Sequence, residues 1–399
     1  MTPEALYASP NALAPHYRRF RVAERLLLTG HSHQAWPDVG LEAQQRAWLE
    51  AAQYADDKWE HAFAMADRVR RGFARLLDDS DGAIALGAST HELVVRWLSA
   101  LPLGRRPRLV TTTGEFHTIR RQLDRLAEEG IAVVKLPPLP AATLAERLAH
   151  AVDDRTAAVL VSAVLYENAH IVPNLASVVA ACRQAGAELL VDAYHALGVA
   201  PFSLRGDGLA EAFVVGGGYK YCQLGEGNCF LRIPRDCALR PVITGWFAEF
   251  DALAAGDPAS LVAYGSGAAR FAGATYDPTS HYRAARVFDF FDEQELTPEF
   301  LRGVSQHQVG LLARSFDALD ADPRVIARDR AVTLPELGGF LALQSARAAE
   351  LCRRLRDLGM LSDYRADVLR LGPAPYLSDA QLGDAMHVLG RVIKELRAG

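Results

Sequence analysis

Residues 211–230 read EAFVVGGGYKYCQLGEGNCF. The apolar run EAFVV meets three glycines, and Lys220 follows between Tyr219 and Tyr221. A short continuous apolar run bounded by glycine suits a strand buried on both faces. A single ammonium group at the end of such a strand has to be there for its chemistry or for a solvated turn. The glycines are expected to let a bound group come close to the backbone.

The neighbouring sequence repeats this strand-like pattern with helices in between. GAIALGA (82–88), RLVTTT (108–113), IAVVKLP (131–137), TAAVLVSAVLY (156–166), AELLVDA (187–193) and NCFLRIP (228–234) are apolar runs of strand length. STHELVVRWLSAL opens on a capping box, Ser89 followed by Glu92 three residues later. TIRRQLDRLAEEG puts Ile119, Leu123 and Leu126 on one face and stops at Gly130. Such alternation predicts an α/β fold, a mostly parallel sheet flanked by helices. Ligands of such sheets bind at the carboxyl ends of the strands. HYRAARVFDFFDEQELTPEFLRG (281–303) reads as one long helix leading to a smaller C-terminal α+β domain. That domain carries GGFLALQ, VLRLGPAP and a last helix opened by a second capping box, Ser378 to Gln381. The expected organisation is an N-terminal arm (1–50) on the small domain, a large α/β domain (51–285) and the small domain (286–399).

Bulk properties narrow the function. The 399 residues are 50% hydrophobic and 23% charged with a formal net charge of −5. That balance suits a soluble enzyme and offers no basic footprint for nucleic acid or a membrane surface. The N-terminus lacks the basic-then-apolar order of a secretory signal. The five cysteines have no zinc-site spacing and read as reduced thiols in a cytoplasmic protein. No metal site is expected; His31 and His33 alone are too weak a signal. Cys352, inside the helical run ELCRRLRDLG, reads as a core thiol rather than a nucleophile.

Two strand ends carry the candidate chemistry. VDAYH presents Asp192 and His195, and Lys220 follows 28 residues after Asp192. A lysine paired with a buried carboxylate is what pyridoxal 5′-phosphate requires: an amine to hold the cofactor and an anion to keep its ring nitrogen protonated. Ser89 and Thr90, at a helix N-terminus just after a strand, suit its phosphate. Phe116, after the next strand, could stack on its ring. Singly, each residue has a plain alternative as a cap, a turn or a solvated loop side chain. Their order within one α/β chain favours the cofactor reading.

On these residues the chain, from about 26 to 395, resembles the kynureninase family, pyridoxal-phosphate-dependent enzymes of fold type I in the class V aminotransferase branch. YKY at 219–221 resembles that family's SYKY, and DAYH at 192–195 its Asp-x-x-His. TGWF at 244–247 is similar to its GWFG, LTGHSHQAWP to its GNSLG segment, and VLRLGPAP to its VIRxxPxP strand. The resemblance implies Lys220 as Schiff-base lysine, Asp192 on the pyridine nitrogen and His195 near the ring. Tyr219 and Trp246 would contact the phosphate, Trp246 from a neighbouring subunit of a homodimer. Phe116 would stack, and Thr275 stands where the family has a ring-contacting asparagine. His31 and Ser32 would lie near substrate, and Arg370 would clamp its α-carboxylate. The implied activity is hydrolysis of kynurenine or a related γ-keto amino acid to an aryl acid and alanine. Departures at Ile119, Thr275, Glu226 and the GHSHQ stretch lie mostly in substrate-facing places. Another class V aminotransferase, lyase or tailoring enzyme, or a catalytically silent binding protein, are the alternatives.

Overall fold

A computed structural model describes residues 1–79, 83–250 and 261–398. Gly82, the first residue of the run 82–88, and Gly399, the end of the expected small domain, lie outside them. The apolar runs become the strands of one seven-stranded sheet: β1 (Ala83–Gly87), β2 (Arg108–Thr112), β3 (Ala132–Leu136), β4 (Thr156–Ser162), β5 (Glu188–Asp192), β6 (Phe213–Gly217) and β7 (Cys229–Ile233). Their order is β1-β7-β6-β5-β4-β2-β3. β7 runs antiparallel to both β1 and β6, and every other pair is parallel. The central strands β4, β6 and β7 are buried at every position, as strands covered by helices on both faces must be. Because β1, β2, β4, β5 and β6 point the same way, their carboxyl ends gather on one edge.

The expected single helix over 281–303 is two helices, Thr279–Glu293 and Pro298–Ala318. Proline cannot continue a helix but is well placed at the start of one. Pro298 takes that first position, the Thr297 side chain accepts from the Phe300 N–H at 3.2 Å, and Glu295 turns the chain at φ 58°. The proposed boundary at 286 thus falls within a helix.

A second, three-stranded antiparallel sheet holds β8 (Leu341–Gln344), β9 (Asp363–Arg365) and β10 (Val368–Leu371), in the order β9-β10-β8. The final helix, Asp379–Ala398, opens on a reciprocal box: Gln381 N–H donates to the Ser378 hydroxyl, and the Ser378 N–H to the Gln381 side chain. The N-terminal segment joins this unit. Leu26–Leu27 pairs in parallel with Met360–Leu361, and the buried Asn11 amide donates to the Pro375 carbonyl. It also reaches the lysine loop, where Gln34 and Tyr17 bond Gln223. Among the described residues no helix is long and apolar enough to cross a membrane.

Candidate active site

Asp192 ends β5, and Lys220 follows β6 by three residues; paired Asp192 and Val215 put the two ends side by side. Lys220 is 5% exposed. Its Nζ is 2.7 Å from His195 Nε2 and 4.6 Å from the centre of the Tyr194 ring, with Phe116 at 5.3 Å. Burial lowers its pKa to about 7 despite the pull of Asp192 in the other direction; Arg370 and Arg365 lower it further. That shift from 10.5 represents on the order of 5 kcal/mol against the charged form. Lys220 therefore loses its proton around neutral pH, where an ordinary lysine stays charged.

Asp192 is held on the same floor. Its Oδ1 accepts from the Tyr194 N–H at 2.9 Å, and burial raises its pKa. Behind it lies a second buried carboxyl, Glu115, which accepts from Ser162 and Thr112 at 2.7 Å each. Burial, with the nearby Asp192 charge, pushes Glu115 up to about 7. Burial lowers the His195 pKa well below the ordinary value, and the positive charge of Lys220, when protonated, and of Arg370 lowers it further; its Nδ1 has no partner among the described residues.

Lys220, Asp192 and His195 line a cavity of about 270 Å³. Tyr219, Phe116 and Tyr166 also line it. So do Ser89 and Thr90, at the start of the helix Thr90–Ala100. Only half of the expected capping box forms there. The Glu92 N–H donates to Ser89, while the Glu92 carboxylate accepts from Ala88 rather than from Ser89. The site thus has an amine, a buried acid and an anion-seeking helix end around one cavity.

The remaining expected residues lie elsewhere. His31 is fully buried beside Phe340, with Nε2 bound to Asp363 at 2.7 Å, and burial lowers it to about 4. Ser32 is turned to His33, and His33 stacks on Tyr219. Thr275 lines an adjoining cavity of about 900 Å³ that shares Ala88, Glu226 and Gly227 with the first. Trp246 is 46% exposed and packs on Phe247 and Phe250. Within one chain, neither Thr275 nor Trp246 borders the lysine's cavity. Arg370 is 3% exposed and holds the Asp363 carboxylate bidentately. Tyr194, Tyr166, Glu115 and Asp363 are additions that the sequence motifs did not single out. Tyr194 stood in the quoted DAYH stretch, and Glu115 immediately before Phe116.

The glycines before Lys220 have a cause within the protein itself. A Cβ on Gly217 would lie 2.4 Å from the Tyr194 hydroxyl and 2.7 Å from Cys229 Sγ, and one on Gly218 would lie 2.5 Å from Leu224. They make room for the protein's own side chains. Gly217→Ala is expected to lower unfolding free energy by about 1–3 kcal/mol through overpacking, read as a shift in the denaturant midpoint at unchanged slope.

The seven-stranded order, with the lysine and acid at adjacent strand ends, defines the fold of the class V pyridoxal-phosphate-dependent enzymes, fold type I. Solved structures superpose over nearly the whole chain. A lysine variant of the cystine C–S lyase C-DES, with glycine covalently linked to its PLP cofactor, matches at a TM-score of 0.79 and 17% identity, covering 94% of this chain and 98% of that one. The cysteine desulfurase of Thermococcus onnurineus NA1 matches at 0.77 and 15% identity, covering 97% and 98%. In sequence, the chain is 26% identical to the kynureninase of Burkholderia pseudomallei (strain 1106a) over 410 residues, 96% of this chain and 92% of the relative. It is 22% identical to an uncharacterized aminotransferase of Bacillus subtilis (strain 168) over 343 residues, 84% and 85% of the two chains. No family model matches.

Proposed function

We propose that the chain is a kynureninase-like hydrolase that uses pyridoxal 5′-phosphate. Its reaction splits the Cβ–Cγ bond of kynurenine or a related γ-keto amino acid, and water completes the aryl acid and alanine. The observation that carries the cofactor reading is the buried Lys220, its pKa lowered by burial, beside the buried Asp192 in a cavity that a helix N-terminus also lines. When bound, the cofactor supplies the electron sink for the breaking carbon–carbon bond.

The chain's own residues then have distinct tasks. Lys220 would hold the cofactor and, once displaced by substrate, would serve as the base for the Cα proton, its lowered pKa leaving it able to take one near neutral pH. Asp192 supplies the buried negative charge for the ring nitrogen. Ser89, Thr90 and Tyr219 would hold the phosphate, Trp246 would reach it from a neighbouring subunit, and Thr275 would contact the ring. Phe116 and His195 wall the ring. His31, Ser32 and Arg370 stand on the substrate side. An exposed apolar face around Trp246, with Ile243 and Phe250 also exposed, supports a homodimer in which one chain completes the other's site.

A desulfurase-like outcome is favoured by the structural neighbours, and a specific feature weighs against it. Such chemistry needs a reactive thiolate. Cys352 is buried and donates to the Ser362 carbonyl. Cys229, on the cavity wall, is pushed up to about 11 by burial. The test is turnover of L-kynurenine and 3-hydroxy-L-kynurenine by cofactor-saturated protein, followed as anthranilate fluorescence and alanine release. Lysine-dependent product is expected, and the better substrate identifies the aryl group. A spectral response to both without product would overturn the hydrolase and leave another class V reaction in its place.

A further inference from the structure

The N-terminal arm holds Lys220 by its backbone. The peptide groups on both sides of the Lys220 Cα are fixed. The Tyr219 carbonyl accepts from the Gln34 N–H at 3.4 Å, and the Lys220 carbonyl accepts from the Gln223 N–H at 3.1 Å, closing a tight turn. Gln223 joins the two contacts. Its side-chain amide donates to Gln34 Oε1 at 2.8 Å and accepts from the Tyr17 hydroxyl. Gln223 and Tyr17 are fully buried and Gln34 is 4% exposed, so water does not compete for these bonds. Buried polar groups paired in this way hold the chain in one arrangement.

The turn needs that hold. Gln223 sits at φ 60°, in the left-handed region. A glutamine is uncommon there and stays only where its surroundings over-determine it. The two side-chain hydrogen bonds supply that constraint. The arm is braced in turn from its far side. Tyr17 packs against Tyr376 and Phe290, with ring centres at 4.9 and 6.2 Å, and the Ala35 N–H donates to the Tyr376 hydroxyl at 2.9 Å. The His33 ring stacks on Tyr219 at 4.8 Å, beside the same turn. The frame behind the amine is thus anchored 206 residues away in sequence.

We propose that Gln223 is a positioning residue for Lys220, held in its strained conformation by Tyr17 and Gln34 of the N-terminal arm. This rests on the functional reading above and deepens it. A misplacement of about 1 Å at a reacting group costs roughly a hundredfold in rate, so the direction of the amine matters alongside its basicity. The arm is therefore part of the site and not only a brace on the small domain.

The test reads Lys220 in full-length protein in two ways. With pyridoxal phosphate bound, the pH midpoint of its absorbance reports how the lysine nitrogen lies against the ring. Without cofactor, competitive labelling by acetic anhydride across a pH series, mapped by peptide mass, reports the amine itself. Tyr17→Phe keeps the ring contacts and leaves the Gln223 acceptor without its donor. It is expected to move the absorbance midpoint by about 0.3–1 unit, the worth of one hydrogen bond. The labelling midpoint should rise toward that of an ordinary lysine. Gln223→Gly takes φ 60° freely but deletes the network, and it should move both midpoints at least as far. The double variant should go no further than Gln223→Gly alone, because both substitutions break one contact. Wild-type midpoints in both single variants, whatever their melting temperatures, would make the network a structural brace and overturn the proposal. Additive shifts in the double variant would also overturn it. A wild type that keeps no pyridoxyl on Lys220 after borohydride would overturn the functional reading. Labelling midpoints raised in the variants would uphold the positioning of the amine even then.

Discussion

Lys220→Ala is expected to abolish covalent retention of pyridoxal phosphate and to cut turnover by at least about a thousandfold, since it removes the covalent attachment and the base together. The chain has four lysines: Lys58, Lys135, Lys220 and Lys394. Lys135 and Lys394 are exposed and Lys58 is half-buried, so none shares the desolvation that lowers the Lys220 pKa. Borohydride reduction followed by peptide mass analysis should therefore place the pyridoxyl group on the Lys220 peptide alone. Label spread over the other three lysines would refute the assignment. A companion variant, Lys220→Met, tests the electrostatics without cofactor. The folded pKa lies below the unfolded value, so between about 7 and 10.5 the unfolded chain binds more protons and wild-type stability rises with pH. Below about pH 7 the cost of the buried ammonium is fully present. Lys220→Met should therefore stabilise cofactor-free protein most below pH 7, with the gain fading toward pH 10.5, as read by thermal midpoints. A gain independent of pH would mean that packing, not charge, decides.

What could be read from the sequence follows the range of the interactions involved. Strand alternation was legible because a strand covered on both faces must be apolar at every position, and β4 through β7 meet that demand within a few residues each. Lys220 and Asp192 were legible because sheet topology carries both strand ends to one edge. The break before Pro298 was also written locally, in Thr-Pro-Glu, but the apolar periodicity of Arg283–Phe291 concealed it. The Arg370–Asp363 pair was not legible. A seven-residue separation joins them only through a hairpin whose turn includes Ala366 at φ 44°, and alanine gives no turn signal. Nor could the reason for Gly217 be read. The constraint comes from Tyr194 and Cys229, on neighbouring strand ends, and not from the residues beside it.

Asp192 offers the second large effect, because its two functions can be separated. Its oxygen accepts the Tyr194 N–H, which fixes the turn that carries Tyr194 and His195, and its charge lies in a desolvated site. Asp192→Asn keeps an acceptor for that N–H and removes the charge; Asp192→Ala removes both. If the charge serves the cofactor's ring nitrogen, both variants should lose about a thousandfold or more in turnover. Only Asp192→Ala should also lose stability, about 1–3 kcal/mol for the N–H left unsatisfied. Glu115 adds a further expectation. Its pKa is raised by burial first and by the Asp192 charge second, so the Asn variant should let Glu115 ionise at lower pH. A pH titration of its carboxyl band by infrared difference against Glu115→Gln would register that. Near-normal turnover in Asp192→Asn would remove Asp192 from the chemistry and leave it a turn-forming residue. A loss of turnover matched by unchanged stability would place its contribution in the charge.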